Sequence, residues 1–311
     1  MAPIYKPVEM DFSGKNIVIL VSGLPGTGKS TVANSAPKAL NIDTDEGTAR
    51  VKPEHRVDTS VCKTYEEILA DIKEAKGKYE TIIIDTCGAL IEYMKDWAMR
   101  TDPKASKTNG GFSLQGYGIV KSEFIRLSAE LRKNFNVVYI FHETMTKNGD
   151  DGVFYELVVE GATRTLVYQP ADLAGHLFID HGKRFIGFTP TEQYSAKSAY
   201  GIKGIVEVPE LKDGDPNDFL TRLFAKVREN LAKESAQLSP QMDDYKNAMA
   251  EAKRICDAVN TPEDVDTAAS AIKGLAHALT SEKEAKAMLK ARLAELNIIW
   301  DKAEKVYKYA E

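Results

Sequence analysis

The stretch Gly23-Leu24-Pro25-Gly26-Thr27-Gly28-Lys29-Ser30-Thr31 decides how this sequence is interpreted, because it fits the pattern G-x-x-x-x-G-K-[ST]. The β-branched apolar run of residues 16–21 before it predicts a buried strand, and residues 31–39 after it are compatible with a helix. Glycines in such a loop let backbone N–H groups turn inward around a phosphate. The pattern therefore predicts a nucleoside triphosphate site, formed by Gly23, Gly26, Thr27, Gly28, Lys29, Ser30 and Thr31.

The chemistry of this loop predicts a metal ion as well. Lys29 would reach the β- and γ-phosphates, and the hydroxyl of Ser30 would bind Mg²⁺. Asp85 ends the apolar run of residues 81–84 further along the chain. An apolar run that ends in an acid is common, but after a phosphate loop it predicts a strand that carries the second Mg²⁺ ligand. Ser30 and Asp85 are therefore the expected metal ligands.

A further strand is predicted between these two along the chain, at residues 39–43, followed by Thr44-Asp45-Glu46-Gly47. This inserted strand predicts that the strand before the phosphate loop and the strand that ends at Asp85 are not neighbours in the sheet. Such an order is typical of motor and recombinase ATPases and less typical of nucleotide kinases and GTPases. Asp45 or Glu46 is the candidate for polarising the attacking water. An ordinary acidic turn is the alternative for this stretch.

Together with Tyr139-Ile140-Phe141-His142-Glu143, these motifs resemble the RecA-type core. Within that group, the sequence is most similar to the small phage-encoded RecA-like ATPases that support single-strand annealing. The resemblance covers roughly residues 14–208. It implies an α/β fold with a P-loop NTPase core, in which a mainly parallel sheet is flanked by helices and ends in β-hairpins. One hairpin is expected at residues 177–187. ATP and Mg²⁺ are the implied ligands.

The resemblance also implies roles outside the phosphate loop. The water-activating acid of the family falls at or next to Asp45, and His142 or its neighbour Glu143 stands where the family senses the γ-phosphate. A structural role is the alternative for the histidine. Lys197, and after it Lys203, matches a lysine that enters the neighbouring subunit's ATP site. The expected catalytic residues are Lys29, Asp45, Glu46, Asp85, His142 and Lys197.

Two loops match the segments with which this family grips DNA. Residues 100–111 contain three cations among small residues and glycines, and aromatic residues flank them. Residues 147–152 are acidic and fit a hairpin turn that leads into residues 153–158. A solvated surface loop is the alternative for the first segment. The DNA-binding candidates are Arg100, Lys104, Lys107 and Lys147, with Phe112 and Tyr117 as stacking residues.

The sequence predicts a small α-helical region at residues 237–311, after an ATP-binding core at residues 1–236. A helix over residues 216–234 should end in a polar break at residues 233–237, and new helices should start at Ser239, Thr261 and Ser281. The last helix would bury one apolar stripe from Met288 to Tyr307. Acidic residues slightly outnumber basic ones here, which favours docking, oligomer contact or a partner protein over DNA.

Composition limits the class of protein. The 311 residues are 43% apolar and 28% charged, and no apolar run approaches the roughly 18–20 residues of a membrane helix. Three cysteines without C-x-x-C spacing predict neither disulfides nor a cysteine metal site. With a net charge of −5, DNA binding would need a local patch, an oligomer channel or a nucleotide-induced state. The expected location is the cytoplasm, that of the host if the protein is phage-encoded.

The motifs and the resemblance together predict an ATPase that binds single-stranded DNA and supports homologous recombination or single-strand annealing. Its ATP site would lie between identical subunits of a ring or filament, and a single-strand-binding or recombination protein is a further expected partner. The alternative is a nucleotide-switched adaptor or assembly ATPase that acts through its helical tail. A small-molecule kinase is favoured less, because no arginine-dense segment could form the lid that closes on the donor phosphates.

Overall fold

A mixed β-sheet organises the first part of the chain in the computed structural model, which describes Phe12 and residues 14–148, 152–160, 163–302 and 304–310. Nine strands form this sheet. They are β1 Val18–Gly23, β2 Ala39–Asp43, β3 Asp58–Val61, β4 Thr81–Asp85, β5 Asn136–Asn148, β6 Gly152–Leu157, β7 Leu173–Asp180, β8 Lys183–Gly187 and β9 Ile205–Val208.

The strands lie in the order β3-β2-β4-β5-β1-β7-β8-β9, and β6 pairs with β5. The pairs between β3 and β7 are parallel, whereas β6, β8 and β9 run antiparallel to their neighbours. The predicted α/β class, with a mainly parallel sheet and hairpins toward its end, is confirmed. The hairpin at residues 177–187 forms where it was expected, with its turn at His181 and Gly182.

The predicted separation of β1 and β4 is correct, but the reason given for it is wrong. The strand between them is β5, which pairs with both, whereas β2 lies on the far side of β4. The pairing register places His142 beside Gly23 and Asp43 beside Asp85. The ends of β1, β2 and β4 therefore meet beside His142 of β5 at one edge of the sheet.

Helices cover the sheet. They are α1 Lys29–Ala33, α2 Tyr65–Ala75, α3 Cys87–Thr101, α4 Leu114–Asn134, α5 Thr163–Leu166 and α6 Phe219–Ala258, with short 3-10 turns at Gly47–Arg50, Pro53–His55 and Pro103–Ala105. The helix after the phosphate loop is shorter than expected, because Ala39 already belongs to β2. α2 begins at the expected capping box, in which Thr64 and Glu67 each bond the other's backbone N–H.

The core forms where α3 and α4 pack on the sheet. Leu90 and Met94 of α3 share one apolar cluster with Phe124 and Leu127 of α4 and with Ile84 of β4. Burying one such side chain contributes about 1.5–3 kcal/mol. The central strands are apolar along nearly their whole length because both of their faces are covered. The core thus fixes the strand ends that carry the polar residues.

The chain divides into two compact units, one of Gly14–Asn230 and one that contains Leu231–Glu311. The second unit comprises the later part of α6, then α7 Asp264–Lys273, α8 Ser281–Glu295 and the hairpin of β10 Ile298–Asp301 and β11 Val306–Tyr309. Small and apolar side chains form its own core, among them Ala252, Cys256, Val265, Ile272, Leu289 and Ile298. None of the described helices has the length and apolar character to cross a membrane.

Several sequence expectations for the second unit are wrong. The helix does not break at residues 233–237 or restart at Ser239, because α6 continues through Pro240, which lacks the N–H for a helical bond. α7 begins at Asp264 rather than at Thr261, and only α8 begins at the residue expected, Ser281.

The helical stripe to Tyr307 is also wrong, because α8 ends at Glu295. Asn297 then adopts a left-handed φ of 53°, which turns the chain out of the helix. The β-branched and aromatic residues that follow pair as β10 and β11. The region is therefore helical with a terminal hairpin.

Candidate functional site

The ends of β2 and β4 are held together by Thr44. Its N–H donates to the Asp85 carbonyl oxygen at 2.7 Å, and its hydroxyl donates to the Thr86 carbonyl oxygen at 2.9 Å. The N–H of Thr86 in turn donates to the Thr44 hydroxyl at 2.8 Å. These bonds bring the acidic turn after β2 against the end of β4. Asp45 and Asp85 consequently lie close enough for their charges to interact.

The phosphate loop, residues 23–31, needs glycine at specific points. Gly28 has a φ of 93°, a left-handed conformation that side chains disfavour. A Cβ on Gly23 would lie 2.4 Å from the Leu177 carbonyl oxygen, so β7 leaves no room for one. Inside the loop, Lys29 is buried and its Nζ donates to the carbonyl oxygens of Gly23 and Leu24, each at 2.9 Å. The ammonium is thus held where phosphate oxygens could replace these carbonyls.

The electrostatics of the loop favour an anion. Burial lowers the pKa of Lys29 to about 8, although the carboxylates of Asp85, Glu143 and Asp45 act in the opposite direction. A nearby negative charge favours the protonated form of a lysine. Binding of a phosphate would therefore raise the pKa of Lys29 again and keep the ammonium charged.

The residues at the end of β4 fit a divalent cation. Burial raises the pKa of Asp85 to about 6; the Ser30 hydroxyl that bonds to it acts against this rise, and the charges of Asp45 and Asp43 add to it. A cation would stabilise the ionised carboxyl. Ser30 and Asp85 offer two oxygen ligands, and Mg²⁺ commonly takes the rest from water and substrate phosphates. Among the described residues, no group of three or more His, Cys, Asp or Glu side chains could hold a metal.

The structure separates the two candidates for the catalytic acid. Asp45 Oδ2 lies 3.9 Å from His142 Nε2 and 3.2 Å from Arg50 Nη2. His142 beside it lowers the pKa of the Asp45 carboxyl, with a further contribution from Arg50. Glu46 has a left-handed φ of 57°, its side chain is 69% exposed, and it pairs with Lys63 at 3.3 Å. Asp45 is therefore the acid that belongs to the site.

Asp43 has a role that the sequence did not reveal. Its buried carboxylate accepts the N–H groups of Asp45, Gly47 and Thr48 at 3.2, 2.9 and 2.9 Å. These three bonds fold the turn and set the direction of Asp45. An acid just before a turn that contains glycine was the available signal, because Asp side chains often bond the backbone a few residues onward.

His142 and Glu143 lie in different surroundings, as neighbours on a strand must. His142 faces Asp45 with its side chain 40% exposed. Glu143 is buried, with Oε2 2.7 Å from His176 Nδ1, and the ring of Tyr194 stacks on His176 at 4.3 Å between centroids. His142 is therefore the residue of the two that faces Asp45, whereas Glu143 is buried against His176, near enough to Lys29 for their charges to interact.

The lysine expected to act in a neighbouring subunit is held within its own chain. Lys197 Nζ donates to the carbonyl oxygens of Tyr168 and Ala171, and its backbone bridges Ala174. Lys203, the second candidate, is exposed. The ammonium of Lys203 is therefore more accessible than that of Lys197.

The DNA-binding candidates differ in accessibility. Both oxygens of the Glu66 carboxylate accept from Arg100 Nη2 at 3.0 Å, which neutralises this arginine. The expected stacking residues pack on each other instead, with the Phe112 and Tyr117 rings 4.9 Å apart and nearly perpendicular. Three lysines are exposed, namely Lys104, Lys107 and Lys147. Of the second loop, residues 149–151 lie outside the described residues, but β5 and β6 on either side of it pair as expected.

A cavity of about 530 Å³ adjoins the phosphate loop. Gly28 and Thr31 line one side, and the segment before α6 lines the other. Its volume lies in the range of small-molecule sites. The cations on its wall are Arg50, Lys52, Arg184 and Arg222. This cavity could not be predicted from the sequence, because its walls come from four segments that are distant along the chain.

A family model described as AAA domain matches residues 15–200, which is more than half of the chain. A prototypical ATPase from the type III secretion system of pathogenic bacteria is 11% identical, with a TM-score of 0.33, over 53% of this chain and 52% of that one.

The flagellar accessory protein FlaH from Methanocaldococcus jannaschii is 13% identical, with a TM-score of 0.31, over 63% of this chain and 91% of that one. The chain thus spans about half of the secretion ATPase. No curated protein matches the sequence.

Proposed function

Because the chain belongs to the AAA domain family, we propose that it is an Mg²⁺-dependent ATPase of the RecA-like type. The observation that carries this proposal is the proximity of Lys29, Asp85 and Asp45 at one edge of the sheet, where Thr44 joins the turn after β2 to the end of β4. A phosphate-binding loop, a metal-binding acid and a water-activating acid are the parts that phosphoryl transfer to water requires.

Each of these residues has a distinct task. Lys29 leaves the carbonyls of its own loop and binds the β- and γ-phosphates of ATP. Ser30 and Asp85 would hold Mg²⁺, which would neutralise charge on the phosphate oxygens. Asp45 orients a water molecule and accepts its proton as the water oxygen bonds to the γ-phosphorus and the bond to the β-phosphate bridging oxygen breaks. ADP and inorganic phosphate are the products.

His142 supports Asp45 in this reaction. Its ring lies beside the Asp45 carboxylate and lowers the pKa of that carboxyl, which stabilises the ionised form that orients the water. From β5, the same ring can also contact the γ-phosphate, because the register places His142 beside Gly23. We therefore assign His142 the sensing role, in which contact with the phosphate and contact with Asp45 compete.

We further propose that nucleotide state controls binding of single-stranded DNA, in homologous recombination or single-strand annealing of the kind that phage-encoded relatives support. The exposed lysines Lys104, Lys107 and Lys147 favour contact with phosphates of the DNA backbone. The ATP site would then be completed by a second copy of the chain in a ring or filament, with Lys203 as the better placed of the two candidate lysines.

A second candidate is a nucleotide-switched adaptor or assembly ATPase. The second unit favours it, since Ile299, Trp300 and Tyr309 of its hairpin are about half exposed and suit a protein partner. Such a protein would turn over ATP without regard to DNA, so the two candidates differ in one measurable property.

Phosphate release from ATP, measured with and without Mg²⁺ and across a titration of single-stranded DNA, tests the proposal. An Mg²⁺-dependent rate that rises with DNA is expected, and duplex DNA of the same length serves as the control. Turnover that ignores DNA would favour the adaptor. Absence of any ATP turnover, together with transfer of phosphate to a metabolite, would favour a kinase instead.

A further inference from the structure

Arg184 reaches the phosphate loop from a distant part of the chain. It lies on β8, where it is paired with Ile179 of β7 and Val208 of β9. Its Nε donates to the Thr27 carbonyl oxygen at 3.1 Å. A Cβ built on Gly28 would lie 3.0 Å from the same Nε, so the arginine rests directly on the glycine. The lack of a side chain at Gly28 is what allows this approach.

The charge of Arg184 is not balanced by the chain. The other cations on the cavity wall have acidic partners, since Arg50 pairs with Asp45, Lys52 with Glu54 and Arg222 with Asp218. Within the described ranges, Arg184 has only the bond to Thr27, and no carboxylate pairs with it. A half-buried guanidinium without a counter-ion is a site for an anion. Its two terminal nitrogens are available to bind one in the paired geometry that phosphate favours.

The position of Arg184 indicates which phosphate it meets. Arg184 lines the cavity together with Gly28 and Thr31, whereas the Lys29 ammonium lies against the carbonyl oxygens of Gly23 and Leu24 at the start of the loop, where it would meet the β- and γ-phosphates. The nucleoside must therefore leave the loop on the side of Arg184. We propose, on the basis of the proposed function, that Arg184 binds the α-phosphate of the bound nucleotide and so holds ATP and ADP alike at the entrance of the cavity.

Equilibrium binding of ATP and of ADP to the full chain, in Mg²⁺, tests this proposal with Arg184→Gln. Loss of the charge-assisted contact should weaken the affinity for ATP and the affinity for ADP equally, by about tenfold or more. Arg184→Lys keeps the positive charge but lacks the paired nitrogens of the guanidinium, so its Kd should lie between that of the wild type and that of Arg184→Gln. Lys183→Gln, an exposed neighbour on the same strand that pairs with Glu207 at 3.0 Å, is the matched control and should bind as the wild type does.

The outcomes are separable. Weakening of ATP alone would mean that Arg184 contacts the γ-phosphate, and unchanged affinity for both nucleotides would mean that it contacts neither; each result overturns the proposal. Thermal unfolding of each variant shows whether the fold is kept. If Arg184→Gln does not fold, the affinities of Arg184→Lys for ATP and for ADP decide whether the two nucleotides are weakened equally. A wild type that binds no nucleotide would overturn the proposed function and this inference with it. If Lys29→Ala loses nucleotide binding while Arg184→Gln keeps the wild-type affinity, the phosphate loop binds nucleotide as proposed and only the role of Arg184 is overturned.

Discussion

Asp45 Oδ2 lies 3.9 Å from His142 Nε2, although Asp45 follows β2 and His142 lies on β5, two strands that are not neighbours in the sheet. The distance is that of an ion pair rather than a hydrogen bond. β4 lies between their strands, and it carries Asp85 at the same edge. Asp45, His142 and Asp85 therefore form one group around the phosphate loop, and the role proposed for each can be tested separately.

Asp45 and Glu46 should differ sharply when each loses its charge. Asp45→Asn should lower kcat by about 10²–10⁴-fold, because a general base is removed, while ATP affinity changes little. Glu46→Gln should leave kcat near the wild-type value, since its side chain pairs with Lys63 outside the site. Phosphate release and equilibrium ATP binding would be measured for both. A larger loss for Glu46→Gln would assign the catalytic role to that residue.

Replacing Asp85 should raise the Mg²⁺ concentration that ATP turnover requires. Asp85→Asn removes one of the two protein ligands, so the Mg²⁺ concentration for half-maximal turnover should rise by about 10–100-fold. Asp96→Asn, an exposed acid on α3, is the control and should leave the Mg²⁺ dependence unchanged. An Asp85→Asn variant with the wild-type Mg²⁺ curve would remove Asp85 from the metal site.

Glu123 should link stability to pH. Its carboxylate accepts from Tyr65 at 2.5 Å and from Arg126 Nε at 2.8 Å. The bond from Arg126, opposed by burial, lowers the pKa of Glu123 in the folded state. This stabilisation is present above the unfolded pKa of about 4.3 and is lost as the pH falls through the lower folded value.

Glu123→Gln should therefore reduce the free energy of unfolding at pH 7 by about 1–3 kcal/mol, because the buried hydroxyl and the guanidinium lose a charged partner. The difference from wild type should shrink between pH 5 and the acid limit of folding, as measured by urea unfolding. Glu130→Gln, a more exposed acid on the same helix, should show a smaller effect. A difference that stays constant with pH would mean that the charge of Glu123 is not responsible.

The exposed lysines of the first loop should set the salt dependence of DNA binding. The double change Lys104→Ala, Lys107→Ala should reduce the slope of log affinity against log salt by about 2, one for each lost phosphate contact. Arg100→Ala should change the slope less, because Glu66 already neutralises this arginine. Single-stranded DNA affinity at several salt concentrations gives the slopes. An unchanged slope in the double variant would place the DNA elsewhere.

The sequence was informative where local chemistry decides the structure. The phosphate loop, the strand that ends at Asp85, the capping box at Thr64 and the hairpin turn at His181 all depend on a few consecutive residues. In the same way, the α/β class was predictable, because apolar β-branched runs alternate with amphipathic helices.

Features that depend on distant residues were not predictable. The placement of β5 between β1 and β4 results from the pairing of strands far apart in sequence. The contact of Arg184 with Thr27 likewise joins residues 157 positions apart. Local propensity was wrong at two places in the second unit. It predicted a break where α6 continues through Pro240, and it predicted a continuing helix where α8 ends at Glu295. The choice of Asp45 over Glu46 needed the turn that Asp43 folds.

Phosphate release from ATP in Mg²⁺, by the wild type and by Lys29→Ala, tests directly whether this chain hydrolyses ATP at its phosphate loop. Lys29 is the buried ammonium at the centre of the phosphate loop, and Lys226→Ala, an exposed lysine on α6 that pairs with Glu229 at 2.9 Å, is the matched control. We expect ATP turnover by the wild type and by Lys226→Ala, and none above background by Lys29→Ala. Equal turnover by all three proteins would contradict it.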